Sequence, residues 1–373
     1  MLKTGFIGWR GVVGSVLMKR MQEENDFSRL DATFYSTSQA GQKAPSYIHG
    51  SKRNLQDAYD LSSLRTQDIL VSTQGGDYTE KVYAKLRETG WHGFWIDAAS
   101  SLRMNKDSII VLDPINAKQI RKGLASGVKN YIGGNCTVSL MLLAIHGLLE
   151  ENLVDAIQVS TYQAISGAGA EAMNELFQQF DYMTRQMLTK DKVPAKGLGL
   201  EKDIHYALTH CDLPTNKING VLAANLLPWI DKAVDGGRTK EEWKGHVETN
   251  KILDRATVIP VDSTCVRVAT LRSHCQSLVL KLKEDLSVRE VEMRLQRANP
   301  WVHLIPNERQ DTLNYLTPIA AADSLKIKVG RVRKMNLGPE FVQMFTVGDQ
   351  LLWGAAEPLR RTLKIILDRN ETL

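Results

Sequence analysis

Gly133-Gly134-Asn135-Cys136, followed at once by Thr137-Val138-Ser139-Leu140-Met141-Leu142-Leu143-Ala144, sets one cysteine at the start of an apolar helix. The glycines allow a sharp turn, Asn135 is a residue type that caps helices, and the positive dipole end of a helix lowers a thiol pKa. The placement predicts a nucleophilic thiolate at Cys136. A small residue packed into a helix start is the bland alternative, and for an isolated cysteine the commoner one. Three further segments carry clustered functional groups. Thr161 to Ala170 ends an apolar strand with Gln163 and opens into the small-residue loop Ser166-Gly167-Ala168-Gly169, suited to close approach by a ligand. Glu241 and Lys244 stand three residues apart on one predicted helical face, followed by His246 and Glu248; a solvated surface ion pair is the usual form of that spacing. Arg267 and His274 are predicted on or beside one β-run.

A strand at Lys3 to Ile7 runs straight into Gly8-Trp9-Arg10-Gly11-Val12-Val13-Gly14-Ser15 and then a helix. In that context backbone N–H groups meet a pyrophosphate, and GxxGxxG is a variant of the dinucleotide fingerprint. The end of the second strand, Phe34-Tyr35-Ser36-Thr37-Ser38-Gln39, presents hydroxyls and no carboxylate, and Arg10 adds a cation to the glycine loop. Arg10, Thr37 and Ser38 suit a ribose 2′-phosphate, so NADP is expected rather than NAD.

These groups need a frame of two units. The chain has 373 residues, 43% hydrophobic and 24% charged, with a net charge of only +5 and scattered basic residues. That suits a globular protein acting on small anions better than a nucleic-acid binder. The four cysteines, Cys136, Cys211, Cys265 and Cys275, lack metal-ligand spacing and any disulfide-dense pattern, so no metal and a cytoplasmic location are expected. No membrane partner is expected either, since no apolar run is long enough. Strands predicted at Lys3 to Ile7, Ala32 to Ser36, Asp68 to Ser72, Phe94 to Asp97, Ile109 to Leu112 and Val128 to Ile132 alternate with helices at Gly11 to Glu24, Tyr78 to Thr89 and Asn116 to Gly127. Such alternation predicts a parallel, doubly wound α/β sheet. Beyond Cys136, β-runs at Ala156 to Ala164, Ala256 to Pro260, Ser263 to Arg272 and Ser277 to Leu282, with helices at Ala170 to Leu188 and Val288 to Arg297, predict an α+β domain on a mixed, mostly antiparallel sheet. Asp349 to Asp368 reads as a helix returning to the first domain, and Lys190 to Gly199 as a surface loop. The expected division is 1–134 plus 350–373 for the nucleotide and 135–349 for catalysis and dimerisation.

The blocks GFIGWRGVVGSVL, STSQAGQKAPS, STQGGDYTE, IDAASSLRM, GGNCTVSLML, EEWKGHVETNKIL and FTVGDQLLWGAAEPLRR span nearly the whole chain. They resemble the aspartate-semialdehyde dehydrogenase family, in the branch typical of Gram-negative bacteria. The resemblance implies a Rossmann-type NADP domain, a homodimer, and reduction of 4-phospho-L-aspartate by NADPH to the 4-semialdehyde and phosphate through a thioester. By the same resemblance Cys136 is the nucleophile, His274 the acid-base catalyst, and Gln163 orients the acyl group. Glu241 and Arg267 contact substrate, and Arg103 and Lys244 hold phosphate. Arg10, Gly11, Val12, Val13, Thr37, Ser38, Gln74, Ser166, Gly167 and Gln350 contact NADP. The chain departs from the family pattern at Ala195 to Glu201, where the family reads close to SSAILD. It departs again at Val268 to Gln276, where VGALRCHSQ is usual and a second thiol, Cys275, follows His274. N-acetyl-glutamyl-phosphate reductase, glyceraldehyde-3-phosphate dehydrogenase and a non-catalytic NADP-binding paralogue are the rival readings. Cys136→Ala is expected to lower turnover by more than about a thousandfold with an unchanged circular-dichroism spectrum; substantial residual activity would exclude the covalent route.

Overall fold

Short apolar strands that are buried on both faces build the first half of the chain. The computed structural model describes residues 1–45, 53–188, 196–209 and 212–371, which leaves Cys211 outside the described residues. Strands β1 (Leu2–Ile7), β2 (Leu30–Ser36), β3 (Gln56–Asp57), β4 (Ile69–Ser72), β5 (Phe94–Asp97), β6 (Ser108–Val111) and β7 (Asn130–Gly133) form one sheet in the order β3-β2-β1-β4-β5-β7-β6. Every pairing is parallel, with Phe6 beside Phe34 and Val71 in adjacent strands. Helices α1 (Val12–Glu23), α2 (Leu61–Leu64), α3 (Gly76–Glu88) and α4 (Asp113–Ala125) make connections between these strands. In α1, Gly14, Leu17, Met18 and Met21 are buried, the i, i+3, i+4, i+7 stripe of a helix packed on a sheet. This is the predicted Rossmann-type arrangement. Its topological switch lies at β1, where the chain leaves toward β2 on one side and β4 on the other.

The second sheet is mixed. Strands β8 (Val154–Ala164), β9 (Leu226–Leu227), β10 (Val261–Val268), β11 (His274–Leu282), β12 (Val302–Leu304), β13 (Ile327–Met335) and β14 (Gly338–Gly348) run in the order β12-β13-β14-β11-β8-β10-β9. Only β10 with β8 and β12 with β13 pair in parallel. Along β11, Leu278, Leu280 and Leu282 are buried while Ser277, Val279 and Lys281 are half-exposed, so one face of the sheet meets the core. The accompanying helices are α5 (Cys136–Ala144), α6 (His146–Glu150), α7 (Ala170–Leu188), α8 (Leu198–Thr209), α9 (Lys240–Leu253), α10 (Val288–Ala298), α11 (Arg309–Tyr315) and α12 (Pro318–Ala321), while α13 (Glu357–Glu371) returns to the first sheet. Helix α5 is buried from Thr137 to Ala144. Its leucines pack with Ile110 and Leu112 on one side and with Leu278, Val329 and Met344 on the other.

Several boundaries differ from expectation. Ala256 to Pro260 is not a strand; Pro260 has no N–H to give a ladder, and pairing with β9 and β8 begins beyond it. The run predicted over Ser263 to Arg272 stops at Val268, because Ala269 to Ser273 turns, with Ser273 at φ 74°. Arg267 and His274 therefore lie on different strands with β8 between them. β13 and β14 fall outside the predicted runs, their alternation being masked by Lys328, Arg331, Arg333 and Lys334. Of the predicted loop over residues 190–199, residues 190–195 lie outside the described part and Leu198 and Gly199 belong to α8. A π-helical turn at Leu352–Ala356 runs directly into the C-terminal helix, and Pro358 falls in the first turn of α13. Leu359, Leu363, Ile366 and Leu367 of α13 join Phe6, Leu17 and Ile69 in the core of the first sheet. Arg360 pairs there with Glu357 and Asp26, each at 2.9 Å, and Arg361 takes Asp113 at 2.6 Å. Among the described residues no helix is long and apolar enough to cross a membrane.

The turn after β1 is tightly packed. A Cβ on Gly8, at φ +77°, would lie 2.5 Å from the Gln74 nitrogen, and one on Gly14 would lie 2.2 Å from the Gly8 carbonyl oxygen. Gly14→Ala is expected to destabilise the protein by about 1–3 kcal/mol, read as a lower urea midpoint.

Candidate active site

The Gly133-Gly134 turn brings β7 into α5, and Asn135 caps that helix as its type predicts. Its Oδ1 accepts from the N–H groups of Thr137 (3.1 Å) and Val138 (3.3 Å), which leaves Cys136 as the first helical residue. Asn135 is held in turn by α9. Its backbone N–H donates to Glu248 Oε2 at 2.7 Å and its Nδ2 to Glu241 Oε1 at 3.0 Å. A capping box of Thr239 and Glu242 starts α9, and the two carboxylates, seven residues or about two turns apart, both face α5. Glu248 was not singled out for a role from sequence; its spacing of seven from Glu241 was the available signal.

Cys136 lies in a cavity of about 350 Å³ together with Gln163, Arg103, Glu241, Lys244 and Arg267. Val13, Ser166, Gly167 and Gln350 of the expected nucleotide set line it as well, and Asp231, absent from the sequence reading, completes it. Cys136 Sγ stands 3.3 Å from His274 Nε2. The sheet register explains the convergence: Arg267 pairs with Gln163 across β10 and β8, and Cys275 pairs with Tyr162 across β11 and β8, so three strand ends meet beside the sulfur. Gly354, in the π-helical turn, approaches so closely that a Cβ there would lie 2.6 Å from Cys136 Cβ. A Cβ on Gly167 would sit 3.2 Å from Arg267 Nη1 and 3.6 Å from His274 Nε2.

The cations differ in their partners. Arg103 uses three of its five donors: Nη1 meets Glu248 at 3.0 Å, and Nε and Nη2 donate to the Gly133 and Ala98 carbonyls at 2.6 and 3.1 Å. Lys244 Nζ bridges Glu241 at 3.0 Å and Asp231 at 2.8 Å. This pair is buried, not the solvated surface pair its spacing suggests. Burial pulls the Lys244 ammonium down, but Glu241 and Asp231 raise it above its usual value. Burial likewise opposes the Glu241 carboxylate, yet Lys244, Asn135 and Gln163 hold it below the usual range. Arg267 has one hydrogen bond, from Nη1 to the Ala164 carbonyl at 2.8 Å, and no ion pair among the described residues. Its remaining donors are suited to a carboxylate.

The thiol departs from expectation. Burial and then the Glu241 charge push Cys136 up to about 12, against the pull of Arg267, Arg103 and Lys244. Burial and the neighbouring carboxylate thus favour the thiol form, against the pull of the helix terminus toward the thiolate. Burial, and then Arg267, push His274 well below the ordinary histidine value. Cys275 is buried with Ile305, Leu316 and Val347, so the thiol beside His274 is a packing residue.

Residues Arg10, Gly11, Val12, Thr37, Ser38 and Gln74 lie outside the cavity, around the β1 turn and the end of β2. Gly11 begins α1 without a side-chain cap, which leaves helix N–H groups for an anion, and the Gly8 and Gly14 contacts exclude side chains from the cradle. Arg10 Nη2 donates to Ser36 Oγ at 2.9 Å and its guanidinium also reaches Gln39. Asp57 stands opposite Ser36 on β3, but its carboxylate accepts from the Tyr59 N–H at 2.9 Å. This cradle fits a dinucleotide phosphate.

Residues 3–123 match the sequence model of the semialdehyde dehydrogenase NAD-binding domain, and residues 145–353 that of the semialdehyde dehydrogenase dimerisation domain. The structure is similar to an aspartate semialdehyde dehydrogenase from Francisella tularensis, with 52% identity over 98% of this chain and 100% of that one and a TM-score of 0.94. It shares its fold with aspartate semialdehyde dehydrogenase II of Vibrio cholerae complexed with ASA, at 22% identity over 99% and 98% of the two chains, TM-score 0.79. The enzyme of Candida albicans with NADP has 17% identity over 99% of both chains and a TM-score of 0.63.

Since Glu241 raises the thiol pKa, Glu241→Gln is expected to speed iodoacetamide modification of Cys136 several-fold near about pH 7.5, measured by peptide mass spectrometry of the free protein.

Proposed function

As the chain belongs to the aspartate-semialdehyde dehydrogenase family, we propose that it reduces 4-phospho-L-aspartate with NADPH to L-aspartate 4-semialdehyde and phosphate, in the biosynthesis of lysine and diaminopimelate, methionine and threonine. The observation that carries this reading is the cavity in which Cys136 shares one wall with Arg267, Glu241 and Lys244. The guanidinium of Arg267, with donors to spare, takes the α-carboxylate, and the Glu241 carboxylate takes the α-ammonium. The acyl carbon then lies at Cys136, beside Gln163, whose amide nitrogen is anchored on Thr161 and Glu241 at 3.1 and 3.2 Å. Arg103 and Lys244 hold the phosphate that leaves when sulfur forms the thioester. His274 attends the sulfur.

Arg10, Gly11, Val12, Val13, Thr37, Ser38, Gln74, Ser166, Gly167 and Gln350 are the residues assigned to NADP. When bound, the reduced nucleotide supplies a hydride for the thioester carbon. Preference for NADP rests on Arg10 and the hydroxyls after β2, with Asp57 engaged elsewhere. We assign 1–134 plus 350–373 to the nucleotide and 135–349 to catalysis and dimerisation, consistent with α13 lying in the core of the first sheet. A cytoplasmic homodimer is proposed, the dimer from the dimerisation-domain match.

The test is the reverse assay with aspartate semialdehyde, phosphate and NADP, following NADPH absorbance. Reduction that requires phosphate is expected, with kcat/KM for NADP at least about tenfold above NAD. Reduction without phosphate, or preference for N-acetyl-glutamate semialdehyde, would refute this reading.

A further inference from the structure

The nucleotide turn and the cysteine cavity lie at the C-terminal ends of the parallel strands, where β1 gives way to Gly8 and β7 ends at Gly133. At the opposite rim a second cavity, of about 490 Å³, is lined by Arg65, Asp68, Trp91, Phe94, Lys129 and Arg369. Leu2 opens β1 and Phe94 opens β5 beside it, while Asp68 and Lys129 each immediately precede a strand. The six residues of β1, roughly 20 Å, separate this rim from Gly8. The floor of the cavity is fixed in place. The Trp91 indole N–H donates to the Gln67 carbonyl at 2.7 Å, and Arg87 lies over the ring, 4.4 Å from its centroid. Arg87 Nη1 also donates to the Trp91 and Gly93 carbonyls at 3.1 and 2.9 Å, and Nη2 to Asn130 Oδ1 at 2.9 Å. A Cβ on Gly93 would lie 2.4 Å from the Trp91 ring, so the chain folds tightly over its own indole. Ile366 of α13, buried, and Phe94, half-buried, extend this apolar floor, which is formed before any ligand arrives.

The charges above that floor do not cancel. Arg65, Lys129 and Arg369 face one carboxylate among the lining residues, Asp68, and its Oδ2 already accepts the Lys3 backbone N–H at 2.8 Å. Lys129 Nζ rests 4.0 Å from the centroid of the Phe94 ring and makes no ion pair among the described residues, and neither does Arg65. Arg369 donates to the Leu124 carbonyl. Burial, then the charges of Arg369 and Arg87, pull the Lys129 ammonium below its usual value, and no carboxylate opposes them. Like charges gathered at a cavity without a counter-ion repel one another, and an anion placed among them is attracted by each. The volume lies in the range of small-ligand sites and exceeds what a bare inorganic ion fills.

We propose that this cavity binds a small organic anion of two or more negative charges, its apolar body against Leu2, Trp91 and Phe94 and its charged head among Arg65, Lys129 and Arg369. The site is separate from the one that holds Cys136, and no residue lines both. Three cations spread over one rim suit a phosphate ester or a dicarboxylate alike; the shared requirement is a dianionic head on an apolar body.

The chain has seven tryptophans, and nuclear magnetic resonance of ¹⁵N-tryptophan-labelled protein reads each indole N–H separately, with the Trp91→Phe spectrum identifying the signal at this cavity. Phenyl phosphate and phthalate are the probes, and inorganic phosphate is the head group without a body. A saturable shift of the Trp91 signal is expected with at least one aromatic dianion, at a dissociation constant below about 5 mM; the tighter of the two distinguishes a phosphate site from a dicarboxylate site. Lys129→Met and Arg65→Met, the second at an exposed position, are each expected to weaken that binding about three- to tenfold. Inorganic phosphate should bind at least about tenfold more weakly than the aromatic probe. The proposal is overturned if neither probe shifts the Trp91 signal, if both variants bind as the wild type does, or if inorganic phosphate matches the aromatic probes. Shifts confined to Trp9 at the glycine turn, or to Trp229 beside Arg267, would place the probe at the Cys136 site and overturn it equally.

Discussion

The head of α5 is held by two carboxylates, and the site is assembled around that contact. Glu241 and Glu248 bind the side chain and the backbone N–H of Asn135. Each is tolerable in the interior only because a cation meets it, Lys244 for Glu241 and Arg103 for Glu248. The N-terminus of the cysteine helix, the acceptor assigned to the substrate ammonium and the cations assigned to phosphate are therefore one hydrogen-bonded unit. Loss of Lys244 or Arg103 leaves a buried carboxylate without its cation, so their positions are set together.

Close backbone approach joins this unit to the nucleotide side. Gly354 lets the π-helical turn pass against Cys136, Gly167 lets the loop after β8 pass against Arg267 and His274, and Gly8 and Gly14 fold the turn that begins α1. Val13 from that turn and Gln350 after β14 line the same cavity as the sulfur. Groups from both sheets thus share one small volume, as chemistry between a nucleotide and an acyl group requires.

Much of this was legible along the chain. Alternating strands and helices announced the parallel sheet, GxxGxxG announced its phosphate turn, and Gly-Gly-Asn-Cys announced a cysteine at a capped helix start. The misreadings have local causes. Arg267 and His274 looked like neighbours on one β-run because no residue type marks the turn at Ser273, where a non-glycine takes a left-handed conformation. Glu241 and Lys244 looked like a surface pair because the i, i+3 pattern is the same whether the helix faces water or Asn135. Asp231 carried no signal, since it reaches Lys244 from a loop 13 residues away.

The sequence by itself determined the alternating elements of the first sheet, which cysteine heads the central helix, and, through long matching blocks, the family. Those properties follow from residue type and short spacing. Tertiary structure alone decided the partners and burial of the titratable groups. Burial beside Glu241 opposes the thiolate that the helix terminus alone promised at Cys136. The Ala164 N–H, 110 residues from His274 in sequence, meets Nδ1 of its ring. Desolvation and hydrogen-bond direction depend on what surrounds an atom in space, and one-dimensional spacing does not carry that information.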